Sequence, residues 1–90
     1  MEITFDPEKR AMTLAERGLD FADARAVWET RLATFEDDRF VYPEERWVTV
    51  GYITARLVVM VWTPLENGLR IISLRKANDR EQRRYAKRMD

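Results

Sequence analysis

The densest group of residues able to take part in chemistry lies near the C-terminal end of the chain. Residues 70–85 include five arginines, a lysine, a glutamate and a tyrosine. Alternation along a strand places Arg75 on a sheet face near the strand's end, and arginine is rarely a core residue unless it is paired. In the helix predicted to follow, Glu81 and Tyr85 are four residues apart and lie one above the other, with Arg84 beside them. An acid, a phenol and several guanidinium groups are therefore expected to converge beside the sheet.

This combination of groups suits the cleavage of an RNA strand. In that reaction a base removes the proton of the 2′-hydroxyl, and cations hold the phosphate while negative charge builds up. An acid or a charged donor then assists the departing 5′-oxygen. Arginine fits the second task because its planar guanidinium can bind two phosphate oxygens at once.

Each member of the group also has a structural interpretation. Glu81 occupies the third position of a helix that starts at Asn78, so its side chain can cap the backbone N–H of Asn78 in a capping box. Tyr85 can pack against the sheet, and Arg84 can pair with a carboxylate. Sequence alone leaves both interpretations open.

Arg46 is a second candidate for a phosphate ligand, because it begins a predicted strand. An antiparallel meander would be able to bring that end of the strand near the last strand. The simpler interpretation is a surface ion pair with Glu44 or Glu45, which precede it directly and would add little stability.

The composition excludes several other kinds of site. The 90 residues include no cysteine and no histidine, which rules out disulfides, thiolate zinc sites, thiol nucleophiles and a histidine base. The acidic run Glu36-Asp37-Asp38 is better explained as a solvated loop than as a cation site, because successive strand side chains point to opposite faces. We therefore expect neither a metal nor a cofactor.

The charge is unevenly distributed although the formal net charge is zero. Residues 70–90 carry eight Lys/Arg and three Asp/Glu, whereas residues 1–69 carry eight and thirteen. A basic end on an acidic body indicates an anion-binding surface. The sequence has no signal-peptide pattern and no apolar stretch long enough to span a membrane, so we expect a cytoplasmic protein.

The periodicity of the chain predicts a single α+β domain over residues 1–90 with the order (β)ααββββα. Two N-terminal helices follow a short edge strand, and a mainly antiparallel, meandering sheet of about four strands follows the helices. The strands are predicted at residues 3–5, 32–35, 46–53, 57–62 and 69–74, and the final helix from Asn78 to about Met89.

Two details of the last strand bear on the candidate site. Thr63–Gly68, with its proline and Asn-Gly signals, is expected to form the turn before it. Strict alternation then places Ile72 and Leu74 on one face of the strand, and Ile71, Ser73 and Arg75 on the other.

Four blocks of the sequence together resemble the BrnT family of toxins. No single block is diagnostic, but all four occur in the family's order and span residues 3–85. They are Phe5-Asp6-Pro7-Glu8-Lys9; Glu16-Arg17-Gly18-Leu19-Asp20-Phe21 with Ala24; Glu44-Glu45-Arg46-Trp47-Val48-Thr49-Val50-Gly51; and Arg70-Ile71-Ile72-Ser73-Leu74-Arg75-Lys76-Ala77 with Glu81 and Tyr85.

The resemblance implies the toxin of a type II toxin–antitoxin system with a RelE-like fold. Such a toxin is a metal-independent endoribonuclease that arrests growth by cleaving RNA to 2′,3′-cyclic phosphate and 5′-hydroxyl ends. Its implied partner is a BrnA-like antitoxin with a ribbon-helix-helix domain, in a complex of two toxins and two antitoxins. Operator DNA would be bound through the antitoxin, since this chain shows no helix-turn-helix pattern. The alternative is an inactive homologue that acts with its antitoxin as an interaction module and co-repressor.

The resemblance also indicates individual site residues. Arg75, Glu81, Tyr85 and Arg46 are the catalytic candidates. Arg75 holds the scissile phosphate with Arg46 and Lys76 as helpers, Glu81 acts as general base, and Tyr85 orients the substrate or donates a proton. Lys76 and Lys9 are RNA-binding candidates on the same resemblance, and the residues themselves add Arg84, from the C-terminal group, and Arg17, a cation of the first helix.

One departure from the family pattern bears on catalysis. Many BrnT proteins have Lys-His-Gly where this chain has Glu16-Arg17-Gly18. The histidine is therefore either not catalytic across the family, or this member is slower or shifted in role.

Overall fold

Residues 1–86 are described by the computed structural model, and they form five strands, three α-helices and one 3₁₀ turn. The strands are β1 (Glu2–Thr4), β2 (Ala33–Glu36), β3 (Trp47–Ile53), β4 (Arg56–Leu65) and β5 (Gly68–Lys76). The helices are α1 (Pro7–Arg17), α2 (Ala24–Glu29), which follows the 3₁₀ turn Phe21–Asp23, and α3 (Asp79–Ala86). The predicted α+β class and element order are confirmed.

The sheet has the order β1-β5-β4-β3-β2 and is mixed. The meander from β2 to β5 is antiparallel, as predicted. The prediction of about four antiparallel strands is nevertheless incomplete, because β1 joins β5 as a fifth, parallel strand. Gly68 makes this pairing possible, since a Cβ there would lie 1.7 Å from the carbonyl oxygen of Glu2.

Local signals set the ends of α1. Asp6 accepts a hydrogen bond from the backbone N–H of Glu8 at 2.9 Å, and Pro7 takes the first helical position. Gly18 ends the helix in the left-handed conformation at φ 68°. Among residues 1–86, no helix has the length and apolar character needed to cross a membrane.

One face of the sheet, here called the helical face, carries the main core beneath α2 and the 3₁₀ turn. Trp62 lies within it, and its indole N–H donates to the hydroxyl of Thr49 at 2.8 Å, so this buried polar pair is satisfied. The buried members of this core are Leu19, Phe21, Ala24, Val27, Val58, Met60, Trp62, Leu69, Ile71 and Leu74.

The other face, here called the open face, carries a smaller core. Of the described elements, α3 packs on this face through Tyr85. Just before α3, the backbone N–H of Ala77 donates to the carbonyl oxygen of Leu57 and holds the chain against β4. The short helix covers only part of the sheet, which leaves side chains of β3 and β4 at the bottom of a depression.

A β-bulge in β5 changes which residues share a face. Val61 is opposite Ser73, but its neighbour Trp62 is opposite Ile71, so Ile72 is the extra residue. Ile71 and Leu74 consequently both enter the core of the helical face. The prediction that Ile72 and Leu74 share one face, with Ile71 on the other, is therefore wrong.

Two predicted boundaries also differ from the structure. Most of the predicted turn Thr63–Gly68 belongs to strands, because β4 continues to Leu65 and β5 begins at Gly68. The last helix begins as predicted, while its predicted end at Met89 lies outside the described residues.

Gly51 marks the closest approach of a helix to the sheet. A Cβ at this position would lie 2.2 Å from the carbonyl oxygen of Val27 in α2. We expect Gly51→Ala to lower the free energy of unfolding by about 1–3 kcal/mol, as overpacking usually does, when measured by urea denaturation. A loss below about 0.5 kcal/mol, the size of an ordinary surface change, would show that α2 moves away from β3 freely.

Candidate functional site

A cavity of about 420 Å³ lies on the open face between the sheet, α3 and the chain segment that follows β2. Its floor consists of four valines from the two middle antiparallel strands, Val48, Val50, Val59 and Val61. Four arginines, Arg39, Arg75, Arg80 and Arg84, stand around this apolar floor. The size is within the range of small-molecule sites.

Arg75 and Glu81 form a two-pronged ion pair at the side of the cavity. The two terminal nitrogens of Arg75, Nη1 and Nη2, donate to Oε1 and Oε2 of Glu81 at 2.7 and 2.8 Å. The bulge brings Arg75 to the open face together with Ser73, and the strand ends one residue later. The pair therefore spans the corner between β5 and α3.

Glu81 also completes a capping box at the start of α3. Its Oε1 accepts the backbone N–H of Asn78 at 2.9 Å, and the side-chain oxygen of Asn78 accepts the backbone N–H of Glu81 at 2.9 Å. The structural interpretation of Glu81 is confirmed, and one carboxylate fixes both the helix start and Arg75.

These contacts set the protonation of the pair. Hydrogen bonds from Arg75 and then from the Asn78 backbone lower the pKa of Glu81, against the effect of partial burial. Hydrogen bonding to Glu81 raises the pKa of Arg75, which burial and the positive charge of Arg39 oppose. Both groups are therefore ionised at neutral pH, and Glu81 is a weak proton acceptor as long as Arg75 holds it.

Sequence analysis missed a second charged group at the opposite rim of the cavity. The buried carboxylate of Asp37 accepts hydrogen bonds from Arg39 Nε at 2.8 Å, Arg39 Nη2 at 3.0 Å and the Tyr42 hydroxyl at 3.3 Å. The hydrogen bonds from Arg39 are the largest of the effects that lower the pKa of Asp37. The prediction of a solvated loop for the acidic run is therefore wrong for Asp37, and nothing in the sequence pattern separates Asp37 from Asp38.

A comparison with protein-family models identifies the family of this chain. The model described as "Ribonuclease toxin, BrnT, of type II toxin-antitoxin system" matches residues 5–81. The chain belongs to the BrnT family. A search of curated proteins gives no match. The matched range extends from the residue before the α1 cap to Glu81, so it includes both members of the Arg75–Glu81 pair.

Four of the eight candidate residues of this BrnT protein line the cavity: Arg75, Glu81, Tyr85 and Arg84. The side chain of Tyr85 is buried in the core of the open face, with 5% of the residue exposed. The guanidinium carbon of Arg84 lies 5.6 Å from the centre of the Tyr85 ring. The structure thus brings the predicted C-terminal group together.

The structure places Arg46 elsewhere. Its guanidinium pairs with Glu44 at 3.0 Å and lies 4.1 Å from the centre of the Tyr42 ring. Because β4 separates β3 from β5, Arg46 is not brought beside Arg75, and the expectation that the meander would do so is wrong. The ion pair that was the simpler interpretation is present.

Lys9 and Arg17 lie at the outer edge of β5, in a second depression of about 260 Å³. Arg17 donates from Nη1 to the carbonyl oxygen of Leu74 at 2.7 Å. The residue that replaces the expected BrnT histidine is therefore bound to the strand next to Arg75. Ser73 lines both depressions, so they meet at this edge. Lys76 is exposed, and strand alternation turns it to the face opposite Arg75.

The acidic run beside the cavity forms no metal-ligand cluster in the described structure. Among residues 1–86, no group of three or more carboxylates lies close enough together to hold a metal ion. Asp37 is instead committed to Arg39 and Tyr42.

The ion pair gives the stability of the protein a specific pH dependence. Because the pKa of Glu81 is lowered on folding, the pair stabilises the fold above the ordinary glutamate pKa, and this contribution is lost as the pH falls through the lowered value. Glu81→Gln keeps the helix cap but removes the charge. We expect the variant to be less stable by about 1 kcal/mol or less at neutral pH, with the difference shrinking below about pH 4.

Urea denaturation of both proteins over a series of pH values measures this difference. A difference that stays constant into acid would contradict the pairing of Arg75 with Glu81.

Proposed function

We propose that this BrnT protein cleaves RNA in the cavity of the open face without a metal ion. The proposal is supported by the family's description as a ribonuclease toxin and by one observation in particular: a guanidinium–carboxylate pair, Arg75 with Glu81, stands beside a cavity ringed by other arginines. The cation is of the type that holds a phosphate, and the carboxylate is of the type that accepts a proton.

In the proposed reaction, RNA binding rearranges the ion pair. The scissile phosphate competes with Glu81 for the two terminal nitrogens of Arg75, which bind phosphate oxygens as readily as carboxylate oxygens. As Arg75 turns to the phosphate, Glu81 loses the contact that most lowers its pKa. Its basicity therefore increases when the substrate is in place.

The proposed chemical step gives each of these groups a role. Glu81 takes the proton of the 2′-hydroxyl, and the 2′-oxygen forms a bond to phosphorus while the bond from phosphorus to the 5′-oxygen breaks. Arg75 stabilises the negative charge on the phosphate oxygens. Tyr85 orients the substrate or donates the proton that the 5′-oxygen takes up. The products are a 2′,3′-cyclic phosphate and a 5′-hydroxyl.

The remaining cations would guide the RNA strand. Arg39, Arg80 and Arg84 are placed to contact phosphates within the cavity. A strand that leaves over the β5 edge would reach Lys9 and Arg17, because the two depressions meet there. Arg46 and Lys76 would be reached only by RNA that extends beyond the cavity.

A BrnT protein of a type II system has an antitoxin partner. We propose that this partner is a BrnA-like protein with a ribbon-helix-helix domain, in a complex of two toxins and two antitoxins. The resemblance to the family supports this assignment, in which operator DNA is bound through the antitoxin.

The first functional prediction concerns Arg75 and metal independence. The purified protein should cleave RNA in the presence of EDTA and leave 2′,3′-cyclic phosphate ends. Arg75→Ala should lower the cleavage rate about 10²-fold or more, because it removes stabilisation of the transition-state charge. Arg25→Ala is the matched control, since Arg25 lies on α2 and contacts the Met1 carbonyl on the opposite side of the sheet. Cleavage that requires magnesium or manganese, or a folded Arg75→Ala that cuts normally, would contradict the proposal.

A second prediction separates the two tasks of Glu81. Gln retains the cap on Asn78 but cannot accept a proton, so Glu81→Gln should lower cleavage and growth arrest about 10²-fold while the protein stays folded. Antitoxin binding should survive this nearly isosteric change. Full toxicity of the variant would mean that Glu81 only caps α3 and positions Arg75. A folded parent protein that neither cleaves RNA nor arrests growth would favour the inactive interaction module.

A further inference from the structure

Phe35 presents a large apolar surface inside the cavity. It lies on β2, lines the cavity and is 46% exposed. Three valines of the floor are, by contrast, buried, with Val50 at 2% and Val59 at 3% exposure, and the fourth, Val61, is half-buried. An aromatic ring left exposed beside an apolar floor offers a surface for stacking.

The strand register fixes how Phe35 relates to the ion pair. Phe35, Val48, Val61 and Ser73 are directly opposite one another on successive strands. Three strand spacings, about 14 Å, therefore separate the backbones of the Phe35 and Ser73 positions. Arg75 belongs to the next row along the same face.

The side chains of Phe35 and Arg75 shorten the gap that a ligand must bridge. The distance left between the ends of these two side chains is comparable with the length of one nucleotide, from its phosphate to the far edge of its base. The valine floor lies between these two points.

The distribution of charge in the cavity matches the same ligand. A nucleotide has an anionic phosphate at one end and a flat, largely apolar base at the other. The cavity has Arg75, Arg80 and Arg84 at its α3 side. Its β2 side has the Phe35 ring, the paired Asp37 and Arg39, and two further carboxylates, Glu36 and Asp38, which favour the uncharged base over the phosphate at this end.

We propose that Phe35 and the valine floor form a nucleobase subsite, which binds the base of a nucleotide beside the scissile phosphate. This inference rests on the proposed function, in which the phosphate is held by Arg75. The base lies over Val48, Val50, Val59 and Val61 and stacks against the Phe35 ring, as bases do on aromatic side chains of proteins that bind single-stranded RNA.

The test uses short RNA with 2′-O-methyl groups, which lacks the attacking hydroxyl and therefore stays intact during binding measurements. Phe35→Ala should bind this RNA about 10-fold or more weakly than the parent does, because the variant loses base stacking. Phe35→Trp, which keeps a stacking surface, should bind like the parent. Phe40→Ala is the matched control, since Phe40 is 68% exposed and follows the same strand but does not line the cavity.

A second set of RNAs, each with one abasic ribose, identifies the base that is bound. At one position, removing the base should weaken RNA binding by the parent protein as much as Phe35→Ala weakens binding to intact RNA. Removing the base at that same position should not weaken binding by Phe35→Ala any further. Phe35→Leu, which keeps apolar bulk without an aromatic face, should show a partial loss on intact RNA. It also serves if Phe35→Ala proves unfolded by its thermal transition.

Three results would overturn the subsite. The first is RNA binding by folded Phe35→Ala that is as tight as that of the parent. The second is a loss of affinity in this variant, relative to the parent, that is the same for intact RNA and for every abasic RNA. The third is normal RNA binding with lost antitoxin binding, which would assign this surface to the partner protein. Failure of the proposed reaction can be distinguished from failure of the subsite. In that case RNA binding would still depend on Phe35, while cleavage would be absent or would be unaffected by Arg75→Ala.

Discussion

Arg75 and Glu81 close the corner between β5 and α3, and the shape of the cavity depends on that corner. The helix α3 is short and strongly polar, and short helices form in proteins mainly through tertiary contacts. In the described structure, it is held by the capping box, by burial of Tyr85 and by the two hydrogen bonds from Arg75. The group proposed to hold the phosphate is therefore also a group that positions the wall of its own site.

This double use has an energetic consequence. A partly exposed ion pair of this kind contributes little to stability, so exchanging the carboxylate for a phosphate costs little folding free energy. The capping box does not involve Arg75, so α3 keeps its start when the arginine turns towards a ligand. Asp37 and Arg39 form a comparable pair at the opposite rim, where Tyr42 supplies an additional hydrogen bond.

Local sequence signals were sufficient wherever a residue's neighbours along the chain determine its role. The capping box of Asn78 and Glu81 was predicted from such signals. The errors arose where distant segments decide the outcome. The bulge at Ile72 depends on the register of β5 against β4. Arg46 was misplaced because a whole strand, β4, separates its end of β3 from β5, and local spacing does not show how far a side chain must reach across a sheet.

The same distinction holds for the candidate site. The C-terminal group was found because arginine, glutamate and tyrosine stand close together along the chain. Asp37 and Phe35 were missed because their places depend on the position of β2 at the far side of the sheet.

The position of Arg17 has a further consequence, for self-association. Among the described residues, β1 covers β5 from Gly68 to Arg70, so the rest of that strand borders α1 rather than another strand. A strand with unpaired backbone groups is a template for adding a strand from a second molecule, and charged side chains laid along it are a common protection. Arg17 occupies the carbonyl of Leu74 at this border with a bulky cation. Arg17 thus covers a backbone acceptor at this border with a charged side chain, the arrangement that discourages the addition of a strand, and it does so without any contact to RNA.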